Sequence, residues 1–186
     1  MGGGASDGAA DAVLVTAPGV DAADGDPGEA AAAVGVTYHF DAETWLDRWG
    51  RDRERAVAVS AGEYSRSAAA VAEGGSVSVG GPGGPGADTG PVGAGVVEAV
   101  PSASDVGAVG AAVHEYLGEW SAYEPAVYVD SLADVVDATD VEVAFRFVHA
   151  LVARAGEADA RVVAATGDGL PRHVEETFAP LFDEVH

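Results

Sequence analysis

Short runs that are apolar at nearly every position constrain this chain most. Ala12-Val13-Leu14-Val15-Thr16-Ala17, Ala56-Val57-Ala58-Val59-Ser60 and Ala126-Val127-Tyr128-Val129-Asp130 alternate with segments of helical periodicity. A strand with no polar side is buried on both faces, which is the habit of parallel sheets whose crossover helices cover them. The first run stops at Pro18-Gly19. Val34 to Phe40, Gly95 to Val100 and Arg161 to Ala165 read as further strands, with an edge strand over Phe182 to Val185. The expected fold is therefore an α/β domain, an open and mainly parallel sheet with helices on both faces in three layers.

Helix signals lie between the strands. Asp41 stands where an N-cap belongs, ahead of Thr44, Trp45, Leu46 and Trp49, and Gly50 stands where that helix would stop. Pro101-Ser102-Ala103-Ser104 opens a helix whose Val106, Val109, Val113, Leu117 and Trp120 recur at helical spacing. Thr139-Asp140-Val141-Glu142 has the form of a capping box, and Val141, Phe145, Val148, Leu151 and Val152 follow as one stripe. Ser65 to Ala72 and Pro171 to Ala179 also read as helical. Residues 73–95 are dominated by Gly, Pro and Ser, the composition of a long mobile loop.

At 186 residues and 48% apolar composition, the chain builds one core, over residues 11–186, behind a Gly/Ala/Asp tail at 1–10 expected to be disordered. That tail has neither the basic region nor the apolar core of a signal peptide, and no apolar run is long enough to cross a membrane. Cysteine is absent, so no disulfide or thiolate chemistry exists, in keeping with a cytoplasmic location.

All nine basic side chains are arginine, against 31 carboxylates, for a formal charge of -22. Without lysine there is no phosphate-loop ammonium and no Schiff-base chemistry. The carboxylates are dispersed along the chain, as on a protein solvated in molar salt. Nucleic-acid binding is disfavoured because no basic stripe displaces counterions. Arg48, Arg51, Arg53 and Arg55 form one cluster, interleaved with Asp47, Asp52 and Glu54, and read as a solvated helix end.

Candidate ligand residues are few. Asp130 ends an apolar strand, the place where open α/β sheets hold ligands, with Ser131 beside it; the plainer reading is that Asp130 caps the turn. Arg66, between two serines, is a candidate anion contact or a surface residue. Asp134, Asp137 and Asp140 lack the spacing of a calcium loop, and His114, His149 and His173 form no metal-binding pair, so neither a metal nor another cofactor is expected. His149 reads as a hydrogen-bonded residue at the flank of a buried stripe. No G-x-S-x-G elbow or G-x-G-x-x-G turn occurs.

Val127-Tyr128-Val129-Asp130-Ser131-Leu132, followed by Phe145-Arg146-Phe147-Val148-His149-Ala150-Leu151, resembles the second half of RecA/KaiC-type ATPase domains. In that family the Asp ending the strand serves the nucleotide's metal ion. Gly62-Glu63-Tyr64-Ser65-Arg66-Ser67, Ser104-Asp105-Val106-Gly107-Ala108-Val109-Gly110 and Leu181-Phe182-Asp183 are similar to an uncharacterised haloarchaeal branch. The departure lies after the first strand. There Asp21, Asp24 and Asp26 occupy the place of the phosphate loop, and each repels an anionic phosphate. The resemblance thus implies a degenerate, non-catalytic domain acting on a protein partner of unknown identity and stoichiometry. The alternative is a nucleotide or anion sensor, or a weak ATPase, using Asp130.

Self-repulsion among dispersed carboxylates is screened within about 3 Å at 1 M salt. The melting temperature should therefore rise as KCl is raised from dilute buffer to molar concentration; a flat or falling profile would contradict the salt-adapted reading.

Overall fold

The computed structural model describes residues 12–16, 30–62 and 95–186. Seven strands form one sheet: β1 (Ala12–Val15), β2 (Ala32–Thr37), β3 (Arg55–Ala61), β4 (Val96–Val100), β5 (Ala126–Val129), β6 (Arg161–Ala165) and β7 (Glu184–Val185). Their order is β4-β3-β2-β5-β6-β1-β7, and every pairing is parallel. The expected α/β sheet is present. Three expected features fall outside the described residues: the stretch after β1 that carries Asp21, Asp24 and Asp26, the helix expected over Ser65 to Ala72 with Arg66, and all of the Gly/Pro-rich loop up to residue 94.

The helices are α1 (Ala42–Trp45), which continues into a π-helical turn over Leu46–Gly50, α2 (Val106–Glu119), α3 (Leu132–Ala138), α4 (Val141–Glu157) and α5 (Arg172–Phe178). Direction of travel decides which face each one covers. The links from β4 to β5, β5 to β6 and β6 to β7 run one way across the sheet, and right-handed crossovers place α2, α3, α4 and α5 on one face. The link from β2 to β3 runs the other way and puts α1 with its π-helical turn on the opposite face.

The two faces are built from different side chains. Val34, Val36, Val57, Val59, Val127 and Val129 meet α2 to α5. On the other face the same strands turn small residues, Ala33, Gly35 and Ala58, toward Trp45 and Trp49. Trp45 is fully buried and lies flat on β2, with Tyr128 and Trp49 stacked beside it at 5.4 Å between ring centroids. A Cβ added at Gly35 would stand 2.5 Å from ring carbons Cδ2 and Cζ2 of Trp45. Only glycine permits that approach.

Caps decide where the helices begin. Asp41 accepts from the Thr44 amide at 2.8 Å, as its position anticipates, and the Thr44 hydroxyl, which donates to its other oxygen at 2.7 Å, acts with that amide to hold the carboxyl below the usual carboxylate range. Of the next two caps, one corrects the sequence reading. Asp105, directly after the opening segment, caps α2, whereas at α4 the cap is Asp140, not Thr139, accepting from Val143 at 2.8 Å. Thr139 instead donates its hydroxyl to the Val135 carbonyl at the end of α3, which removes it from the capping box. Gly50 is the last residue of the π-helical turn, so the helical run stops where the sequence places its end. At the far edge, the Asp183 carboxylate accepts from the Ala12 amide at 3.0 Å and ties β7 to β1.

Replacing Gly35 by Ala should overpack this face and cost about 1–3 kcal/mol in denaturant unfolding. Trimming Trp45 to Leu in the same chain should recover part of that loss, so a strictly additive double mutant would show that the two side chains do not compete for the same space.

Candidate functional site

β2 and β5 are neighbours whose onward connections leave in opposite directions, to β3 on one side and to β6 on the other. That divergence opens a crevice at the carboxyl ends of the strands, the usual place for a ligand in an open α/β sheet. Asp130 sits in it. Its side chain is fully buried, and its two oxygens accept from three successive backbone amides of the segment after β2. Oδ1 accepts from Tyr38 at 2.9 Å, and Oδ2 accepts from His39 at 2.9 Å and from Phe40 at 2.8 Å.

This arrangement explains why β2 ends at Thr37 although Tyr38, His39 and Phe40 are residues that favour strands. Their N–H groups leave the ladder and converge on one carboxylate. Successive amides turned to one point make a concavity that holds an anion. Here the chain supplies the anion itself. Desolvation pushes the Asp130 carboxyl up to about 6, and the nearby Asp134 charge adds to the rise, while the three amides work in the opposite direction.

Ser131 is next to it and equally enclosed. Its hydroxyl oxygen accepts from the Asp134 amide at 3.2 Å and so caps α3. Gly167, in the left-handed region at φ 74°, crosses directly over it; a side chain there would land on the Ser131 hydroxyl. The turn cap expected of Asp130 therefore belongs to Ser131, and Asp130 ties a different loop. Asp134 pairs with His39 Nδ1 at 3.2 Å, and Asp140 caps α4, so the carboxylates at 134, 137 and 140 do not assemble a cation site. Among the described residues no group of three His, Asp or Glu side chains is placed to hold a metal ion.

A nucleotide's magnesium, which the sequence resemblance implies for Asp130, does not fit these residues. Both carboxylate oxygens are already turned to amides, and no lysine exists to meet a phosphate. Beside Asp130, however, Thr37 and Ser60 are register partners at the ends of β2 and β3, both buried, and neither hydroxyl has a hydrogen-bond partner among the described residues. The Tyr128 hydroxyl and the indole N–H groups of Trp45 and Trp49 are likewise unpartnered among the described residues. Such groups are uncommon in a folded interior.

His149 is exposed, lies parallel to the Phe145 ring and makes no side-chain hydrogen bond among those described, which corrects its reading as a bonded boundary residue. In the arginine cluster, Arg48, Arg51 and Arg55 are exposed, as expected, and each member also touches a neighbour. Arg51 pairs with Asp47, Arg48 lies over Trp49, Arg53 donates to the Ala30 carbonyl and Arg55 lies over Tyr123. Sequence reasoning missed the amides of Tyr38, His39 and Phe40, since a backbone donor carries no residue signature.

The fold and this crevice define an all-parallel open α/β domain with an internally filled anion cradle at its switch point. The chain belongs to a family of unknown function, DUF7504, whose model matches residues 7–185. A search of curated proteins found no match. No helix among the described residues is long and apolar enough to cross a membrane.

Removing the Asp130 carboxylate orphans three N–H groups, each worth about 1–3 kcal/mol when left buried and unpaired, so Asp130→Ala should lose several kcal/mol in urea unfolding. A group titrating near 6 when folded and near 3.8 when unfolded resists ionisation in the native state. Its contribution to stability is full below pH 3.8 and is lost as pH rises through 6. A carbon-detected NMR titration should place the Asp130 midpoint at about 6, and a midpoint below the ordinary value would mean that the amides outweigh burial.

Proposed function

We propose that this protein is a degenerate RecA/KaiC-like α/β domain that does not hydrolyse nucleotides and works as a regulatory or protein-interaction module in the cytoplasm of a salt-adapted cell. One observation carries the reading: the carboxylate at the strand end is turned inward onto the amides of Tyr38, His39 and Phe40, where it braces the fold. The absence of lysine and the three aspartates after the first strand support it, because phosphoryl transfer depends on cations that position and neutralise the phosphates. The similarity of the Val127 to Leu132 segment to RecA/KaiC-type domains supplies the ancestry.

A second reading, a sensor that holds a nucleotide or anion over the strand ends, is favoured by the unpartnered hydroxyls of Thr37 and Ser60. A hydroxyl donates to an anion without needing a cation beside it.

Purified protein with magnesium and ATP or GTP should release no phosphate above a blank, and its melting temperature should not respond to either nucleotide. Phosphate release that disappears in Asp130→Asn, with the circular dichroism spectrum unchanged, would overturn the non-catalytic reading. A nucleotide-dependent rise in melting temperature without turnover, lost in Thr37→Val, would select the sensor instead.

A further inference from the structure

On the face away from Trp45 and Trp49, α2 and α4 lie side by side and leave a groove of about 640 Å³ between them. Its floor is apolar, formed by Leu117 and Phe147, and part of its wall is made of small residues. Gly107, Gly110 and Ala111 line it from α2, and Ala150 lines it from α4. The lining runs from Val106 to Leu117 on one helix and from Val143 to Arg154 on the other, which at 1.5 Å per residue is about three helical turns.

The glycines on α2 need an explanation. Glycine inside a helix lowers its stability relative to alanine. Internal packing does not ask for it here, since an added Cβ would meet only Asp105 Oδ1 at 3.5 Å from Gly107 and Phe147 Cε2 at 3.8 Å from Gly110, both ordinary contacts. Their smallness leaves a groove that no described residue fills.

Charge indicates what fits it. The chain carries 31 carboxylates against nine arginines, yet the groove is lined by Arg146, Arg154 and His114 and by no carboxylate. Arg146 pairs with Glu142 at 3.2 Å and Arg154 with Glu157 at 2.8 Å, and all four side chains are mostly exposed. Surface pairs of this kind exchange partners readily. In molar salt the overall charge of -22 is screened, and only charges in direct contact are felt.

We infer that the α2–α4 groove docks an amphipathic helix of three to four turns from a partner protein, apolar on the face that enters and carboxylate-bearing where it meets Arg146 and Arg154. A second copy of this chain is the poorer occupant. Its described helices of sufficient length, α2 and α4, already turn their apolar faces to the sheet. The inference rests on the protein-interaction reading above and names its surface and the chemistry of its partner.

The probe is a synthetic peptide of about sixteen residues, with leucines at i, i+4, i+7 and i+11 and glutamates on the flanks, read by fluorescence anisotropy at about 1 M KCl. The peptide should bind, and a version with lysine for glutamate should bind about tenfold more weakly. Ala150→Glu, at an exposed wall position, should abolish binding while leaving the melting temperature in place. Arg146→Glu with Arg154→Glu should reverse the preference between the two peptides. Gly110→Ala should raise the melting temperature, and a fall would show that the glycine serves internal packing and would overturn the argument. No binding of the acidic peptide, equal binding of both peptides, or a dimer of the protein alone that Ala150→Glu dissolves would each overturn the proposal. A failure here with no nucleotide turnover leaves the non-catalytic reading standing, whereas turnover sinks that reading whatever the peptide does.

Discussion

The contact between the Asp130 carboxylate and three consecutive amides is the constraint on which the centre of the molecule depends. β2 and β5 lie side by side, but the chain leaves them toward opposite edges of the sheet, so their carboxyl ends would otherwise border an open crevice. One buried anion closes it by bonding the residues that follow β2 from the end of β5. The neighbouring turn is held by similar means, with Ser131 capping α3 and the Ala133 amide donating to the Thr166 carbonyl after β6. Three strand ends are thus laced together by polar groups that a ligand would otherwise use.

The covering of the sheet follows from the order in which its strands are laid down. Crossovers that run toward β7 place their helices on the valine side, and the described crossover that runs toward β4 places a short helix and its π-helical turn on the small-residue side. Among the described residues, indole and phenol rings fill there the layer that longer helices fill on the other face. Trp45, Trp49 and Tyr128 stack into that layer, with Phe40 against Trp49 at its rim.

Much of the framework was legible in the residues. Apolar runs at 12–17, 56–60 and 126–130 marked parallel strands because nearly every position in them is apolar, and Asp41 marked a helix start because its side chain can reach the amide three residues on. Where the reading slipped, a longer-range partner outweighed local preference. Tyr38 to Phe40 look like strand by composition, yet their amides answer to a carboxylate some ninety residues away. Thr139 looks like a cap, yet the Val135 carbonyl behind it claims the hydroxyl and Asp140 takes the role. Asp130 was singled out correctly as the residue at the strand end. Whether it faces a ligand or its own chain depends on the direction of the backbone at 38–40, which composition does not encode. The groove between α2 and α4 was equally hidden, since glycines in a helix do not announce which neighbour they leave uncovered.

The division of β2 and β3 into a valine face and a small-residue face has a further consequence. In most sheets a one-residue slip is punished because it drives polar side chains into the core. These strands are buried on both sides, so polarity cannot detect the error. Volume does. Shifting either strand by one residue would force valines beneath the Trp45 ring, where only Gly35 and alanines fit, and would leave voids beneath α2. The pairing is proofread by size, and the indole of Trp45 acts as the gauge.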